Sequence, residues 1–113
     1  MKLIDHSLDG LSSHKSTLAE DQWHSLLTQI PNWTINRVDN IAQLQCHYRF
    51  ENFMQAMAFA SDIARLAEQV NHHPTLQIEW GKVCVCWWSH DLKGLHFNDF
   101  VMAAKTDQVF NNQ

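Results

Sequence analysis

Apolar residues recur at helical spacing through Leu18, Trp23, Leu26, Leu27 and Ile30, and Pro31 ends the stretch. Thr17 stands where an N-cap would, with Glu20 three residues on as the second half of a capping box. Two shorter runs follow, Trp33 to Arg37 and Ile41 to Arg49, and the turn residues Asp39-Asn40 between them predict a hairpin. In the second run Ala42, Leu44, Cys46 and Tyr48 alternate with Ile41, Gln43 and Gln45, the pattern of one buried and one exposed face.

The longest helical pattern runs from Asn52 to Val70, without glycine or proline. Phe53, Met57, Ala60, Ala64 and Ala67 lie on one side, flanked by Met54, Ile63, Leu66 and Val70, which predicts a core or subunit-interface stripe. Asn71-His72-His73-Pro74 ends it, because proline disfavours the helical conformation in the residue before it. Thr75 to Trp80, a turn at Gly81-Lys82, and Val83 to Ser89 read as a second hairpin. Asn98 or Asp99 then opens a C-terminal helix through Val101, Met102, Val109 and Phe110. The order α-β-β-α-β-β-α predicts an α+β fold, a four-stranded antiparallel sheet with three helices packed on one face. Residues 1–16, polar and holding Ser12, Ser13 and Ser16, read as a flexible arm or loosely attached cap, leaving 17–113 as one domain.

Composition narrows the function classes. With 113 residues, 45% hydrophobic and 18% charged, the chain is of ordinary globular make-up. A formal charge of −4 and a pI near 6.0 argue against direct nucleic-acid binding, which calls for a basic footprint. No apolar run reaches membrane-spanning length, and Met1 to Gly10 carries Asp5, His6 and Asp9 in place of an export signal's apolar block. The expectation is a soluble cytoplasmic protein without a membrane partner. The three cysteines, Cys46, Cys84 and Cys86, are odd in number and read as reduced, half-buried residues. No CxxC pair supplies a zinc framework, so no metal is expected.

Of eight histidines, His72, His73 and His90 lie at element ends around the second hairpin, where rigid neighbours hold reactive side chains. Singly, each reads best as a surface or satisfied core residue. Three together, with Asp99 at a helix start, make a candidate acid–base site, since imidazole gives and takes protons near neutrality and a carboxylate can fix its tautomer. Glu68, one turn before His72, is either an orienting carboxylate or a solvated helix-end charge, and spacing alone does not choose. Trp80, Trp87 and Trp88 cluster on the second hairpin. Trp87 shares a face with Val83 and Val85 and reads as core, whereas Trp88 shares one with Cys84, Cys86 and His90 and is the better candidate for a ligand or partner subunit.

The run from Glu68 to His72-His73-Pro74, followed by Trp80, His90 and Asp99, closely resembles the signature of the pterin-4a-carbinolamine dehydratases. Lys93-Gly94-Leu95, the approach Ile30-Pro31-Asn32-Trp33 and the helix opening Phe50 to Phe53 are similar too, and the resemblance covers roughly residues 18–110. It implies a pterin pocket lined by His72, His73 and His90, with Asp99 nearby, Glu68 and the motif's Pro74 in support, and a reaction needing no metal or cofactor; Trp88 joins the candidates from its strand face alone. It also implies a homodimer or homotetramer whose sheet continues across a dimer contact. The implied substrate is 4a-hydroxytetrahydrobiopterin or a related pterin, the spent product of an aromatic amino acid hydroxylase in the same pathway, dehydrated to quinonoid dihydropterin. The strand Cys84-Val85-Cys86-Trp87-Trp88 is bulkier than is usual in the family and bears on assembly more than on the signature.

Two other readings compete. The same fold also serves as a non-enzymatic dimerisation, assembly or transcriptional coactivator module, which has less need of all three histidines. A metal-dependent hydrolase lacks a spacing such as H-E-x-x-H.

Overall fold

The computed structural model describes residues 2–6 and 17–113. The chain forms α1 (Glu20–Leu27), β1 (Thr34–Val38), β2 (Ile41–Arg49), α2 (Phe53–Val70), β3 (Thr75–Glu79), β4 (Lys82–Trp87) and α3 (Phe97–Asn111). The four strands make one antiparallel sheet in the order β1-β2-β4-β3, so the expected α+β architecture holds. No helix among the described residues is long and apolar enough to cross a membrane.

Turn chemistry sets both hairpins. Asp39 and Asn40 take φ of 52° and 66°, the paired positive values that a two-residue hairpin of right-handed twist requires. This puts Val38 opposite Ile41 and Thr34 opposite Gln45. In the second hairpin the turn is Trp80-Gly81, one residue earlier than expected. Gly81 has φ of +70°, and a side chain there would meet the Phe50 carbonyl oxygen at 2.9 Å, so the glycine must sit in the turn itself. The Phe50 N–H donates to the Gly81 carbonyl (2.8 Å), tying this turn to the end of β2.

The core lies between the sheet and α2 and α3. Ala42, Leu44, Cys46 and Tyr48 of β2 are buried, in line with the alternation read along that strand, though Gln43 is buried among them, and β4 buries Val83, Cys84, Val85 and Trp87. Tyr48 packs at 4.8 Å from Phe59 and 4.9 Å from Phe110, ring centre to ring centre. Its hydroxyl donates to Asp107 Oδ1 (2.5 Å), which also accepts from Trp33 Nε1 (3.1 Å). Burial, then the Asp107 carboxylate, pushes the Tyr48 hydroxyl far above the ordinary phenol range.

Three local expectations shift. Helix α1 begins at Glu20 after Ala19, with Gln22 reaching back to the Ala19 N–H (3.1 Å) in place of a Thr17 cap. The Leu18 N–H is engaged by the Leu95 carbonyl (2.8 Å), which ties Leu18 to another segment. Helix α3 starts at Phe97 with His96 as its cap, one or two residues before Asn98 and Asp99. In α2 the buried positions are Ala56, Phe59, Ala60, Ile63 and Ala67, while Phe53, Met54, Met57 and Ala64 are exposed. Gln55, Ser61, Asp62, Arg65, Glu68 and Gln69 gather on one side of that helix; the middle of the opposite, apolar side is buried, and Phe53, Met57 and Ala64 lie at its edge.

The expected N-terminal arm falls partly on residues 1 and 7–16, which lie outside the described residues. Residues 2–6 lie along α3: Leu3 is buried, its N–H donates to Gln29 Oε1 (2.8 Å), and Lys105 Nζ donates to the Ile4 carbonyl (3.2 Å).

Candidate active site

Helix α2 ends in a reversal that positions two of the histidines. Asn71 takes the left-handed conformation (φ 52°, ψ 43°), and the His72 N–H donates back to the Ala67 carbonyl (3.2 Å). This six-to-one closure is a Schellman-type end, and asparagine tolerates its positive φ better than most residues. The two adjacent imidazoles then find different partners. His72 Nε2–H donates to Asp99 Oδ1 (2.6 Å), whereas His73 Nε2 bonds Glu68, which therefore serves His73 and not His72.

Asp99 is fully buried and His72 is 16% exposed at its side chain. A buried carboxylate is costly unless its lone pairs are filled, and three donors fill these. Besides His72, the Ser89 hydroxyl (2.7 Å) and the His96 N–H (2.8 Å) both donate to Asp99 Oδ2. The His96 bond is half of a capping box, completed when His96 Nδ1 accepts from the Asn98 N–H (3.0 Å). An ionised carboxylate only accepts, so the His72 proton resides on Nε2. Nδ1 is left without a partner among the described residues.

Trp87 fixes the plane of that imidazole. The two rings stack 5.6 Å apart at 15°. Trp87 Nε1–H donates to Thr106 Oγ1 (3.0 Å), and the Thr106 hydroxyl donates to the Met102 carbonyl (2.7 Å), so the indole is held from within α3.

His90 follows Ser89 in the chain. It begins the turn that leaves β4, closed by the Ser89 N–H to the Gly94 carbonyl (2.8 Å) with Lys93 at φ 52°. His90 is exposed and stacks on half-buried Trp88 (4.1 Å, 18°), the face anticipated for Trp88. Pro74, half-buried, precedes β3, and Trp80 is 73% exposed.

Thus His72 and Asp99 meet directly, Ser89 joins them to the segment carrying His90, and His73 with Glu68 forms a separate, more exposed pair. Ser89, His96 and Thr106 were absent from the candidates read in the sequence. The His96-x-x-Asp99 spacing was a usable capping signal, though histidine is an uncommon cap. Nothing local announces that Ser89 or Thr106 faces its partner. Among the described residues no group of three or more His, Cys, Asp or Glu is arranged to hold a metal ion. All three cysteines are free, with Cys46 and Cys84 buried and Cys86 half-buried. A cavity of about 720 Å³ between β2, α3 and the Lys2–Ile4 segment is lined by Tyr48, Arg49 and Asp107, and by none of His72, His73 or His90.

The model of one protein family, described as pterin 4 alpha carbinolamine dehydratase, matches residues 16–109. The chain belongs to that family. Glu68, His72, His73, Pro74, Trp88, His90 and Asp99 all lie within the matched span. Two bacterial relatives carry the pterin-4-alpha-carbinolamine dehydratase name provisionally. The Vibrio cholerae protein is 52% identical over 92 residues, covering 81% of this chain and 84% of its own. The Chlorobium luteolum protein is 53% identical over 93 residues, covering 82% of each. A crystal structure from Brucella melitensis, described as a transcriptional coactivator/pterin dehydratase, superposes with a TM-score of 0.73 at 26% identity, covering 82% of this chain and 97% of that one.

Proposed function

We propose that the protein removes water from a 4a-hydroxytetrahydropterin, such as 4a-hydroxytetrahydrobiopterin, to give quinonoid dihydropterin, by histidine acid–base catalysis. The observation that carries the reading is the buried His72–Asp99 pair, which keeps a proton on Nε2 and leaves Nδ1 as the nitrogen able to exchange one with a ligand.

Hydroxide leaves poorly, so the 4a-oxygen takes a proton from a general acid as the C4a–O bond breaks and water departs. A base removes the proton from N5, and the N5–H electrons form the C4a=N5 bond. His72 and His90 divide these two tasks, and His73, steadied by Glu68, binds or relays. Asp99 orients His72, and Pro74 and Trp88 shape the surroundings. Each proton transfer contributes about 10² to 10⁴-fold. The family's chemistry fits a role in recycling the pterin of an aromatic amino acid hydroxylase in the cytoplasm, with no metal or cofactor taking part. Exposed Phe53, Met54 and Met57 on α2 support assembly into a homodimer or homotetramer.

The test is quinonoid dihydropterin formation from freshly generated 4a-hydroxytetrahydropterin, with the spontaneous reaction subtracted and chelator present. Chelator-resistant acceleration that falls in His72→Ala and in His90→Ala is the expected result. Folded protein that accelerates nothing would overturn the reading in favour of a non-enzymatic dimerisation or coactivator module.

A further inference from the structure

We infer that Ser89 is a positioning residue for this dehydration, holding His72 in its Nε2–H form through Asp99 while fixing the start of the His90 turn. The inference rests on the acid–base reading of His72.

Asp99 stands in the first turn of α3, where its carboxylate can rotate about its terminal torsion. Capping requires only that one oxygen accept the His96 N–H, and many rotations satisfy that single bond. The second donor on Oδ2 comes from a different segment. The Ser89 hydroxyl approaches at 2.7 Å, and two donors converging on one oxygen from independent backbones fix the carboxylate plane. Oδ1 is then aimed at His72 Nε2 at 2.6 Å. Asp99 itself is at 0% exposure, so its carboxylate depends on these protein donors.

Ser89 is itself held firmly. Its N–H donates to the Gly94 carbonyl (2.8 Å), and its own carbonyl accepts from Leu92 (3.2 Å) and Gly94 (3.4 Å). His90 is the next residue of the same closed turn. One hydroxyl therefore connects the carboxylate that orients His72 to the backbone that presents His90, and both halves of the proposed acid–base pair share it. Bonds to an ionised group are the stronger class, so losing one of three lets the carboxylate turn toward its remaining donors. As Oδ1 leaves Nε2, the Nδ1–H form of His72 gains population, and the lone pair needed at Nδ1 is lost in that fraction.

Ser89→Ala and Ser89→Cys test this together. The thiol keeps the volume but donates poorly, so it guards against a folding defect caused by the cavity. Both are expected to lower kcat about tenfold with KM within about twofold, less than the roughly 10²-fold that a misplacement of about 1 Å can cost. Ser89→Thr, which retains the hydroxyl, is expected to restore kcat to within about twofold of wild type. Nitrogen-15 spectra of the imidazole rings should show His72 as Nε2–H in wild type and as a tautomer mixture in Ser89→Ala. Wild-type kcat and an unchanged His72 spectrum in Ser89→Ala would overturn the inference. So would a Ser89→Thr enzyme as slow as Ser89→Ala, or a loss confined to KM. Should wild type itself fail to accelerate dehydration, the functional reading falls, and the ring spectra alone still decide whether Ser89 sets the His72 tautomer.

Discussion

His72 and Asp99 are 27 residues apart in the chain and 2.6 Å apart in the fold, joined from the imidazole Nε2 to one carboxylate oxygen. The other oxygen takes the Ser89 hydroxyl and the His96 N–H, so a single buried charge gathers the end of α2, the exit of β4 and the start of α3. That convergence gives the family's histidine signature a defined protonation geometry, with one nitrogen committed and one free.

Replacing the carboxylate by an amide tests that geometry. In Asp99→Asn the amide must present its NH₂ to at least one group that now faces an acceptor. Turned toward His72, it meets Nε2 as a donor and drives the ring proton to Nδ1. Turned the other way, it confronts the Ser89 hydroxyl and the His96 N–H. Wrong-tautomer substitutions of this kind lower turnover by up to about 10⁴-fold at other catalytic histidines. Here a fall in kcat of at least about 10²-fold is expected, measured as net dehydration above the spontaneous rate. Retention of more than half the wild-type kcat would contradict the role given to Asp99.

Thr106 offers a test of stability near the site. Valine has the shape of threonine without the hydroxyl, so Thr106→Val leaves the buried Trp87 Nε1–H without its acceptor. An unsatisfied buried donor costs about 1–3 kcal/mol, and urea unfolding should show a loss in that range. Thr106→Ser keeps the acceptor and should recover most of it. Equal stability of the valine and serine variants would show that the indole bond contributes little.

Alkaline pH should weaken the fold through two thiols. Burial first of all pushes Cys46 and Cys86 up from 9.0 to about 11, with the Asp107 and Cys84 charges adding to the effect. Below pH 9 the folded and unfolded chains both keep these protons. Between about 9 and 11 the unfolded chain releases them while the folded chain retains them, so stability falls as pH rises. Above about 11 both states are ionised and this contribution levels off. Urea midpoints of wild type and of the Cys46→Ala, Cys86→Ala double variant should diverge in slope over that window, the variant being flatter. Parallel slopes would rule out the thiols as the source.

Much of the architecture was already legible along the chain, because the signals that carry it are local. A period of two marked β2, turn residues at Asp39-Asn40 and around Gly81 marked the two hairpins, and His73-Pro74 marked the end of α2. The signature histidines and Asp99 were picked out by their resemblance to the family's signature. Tertiary structure decided how the apolar side of α2 is seated, burying its middle at Ala56, Phe59 and Ile63 and leaving its edge at Phe53, Met57 and Ala64 exposed. It also decided that Glu68 serves His73, that Thr106 holds Trp87, and that Ser89 completes the acceptor shell of Asp99. These are hydrogen bonds between segments brought together by packing of the core, and a bond of under 3 Å depends on backbone placement that no pattern within one segment encodes.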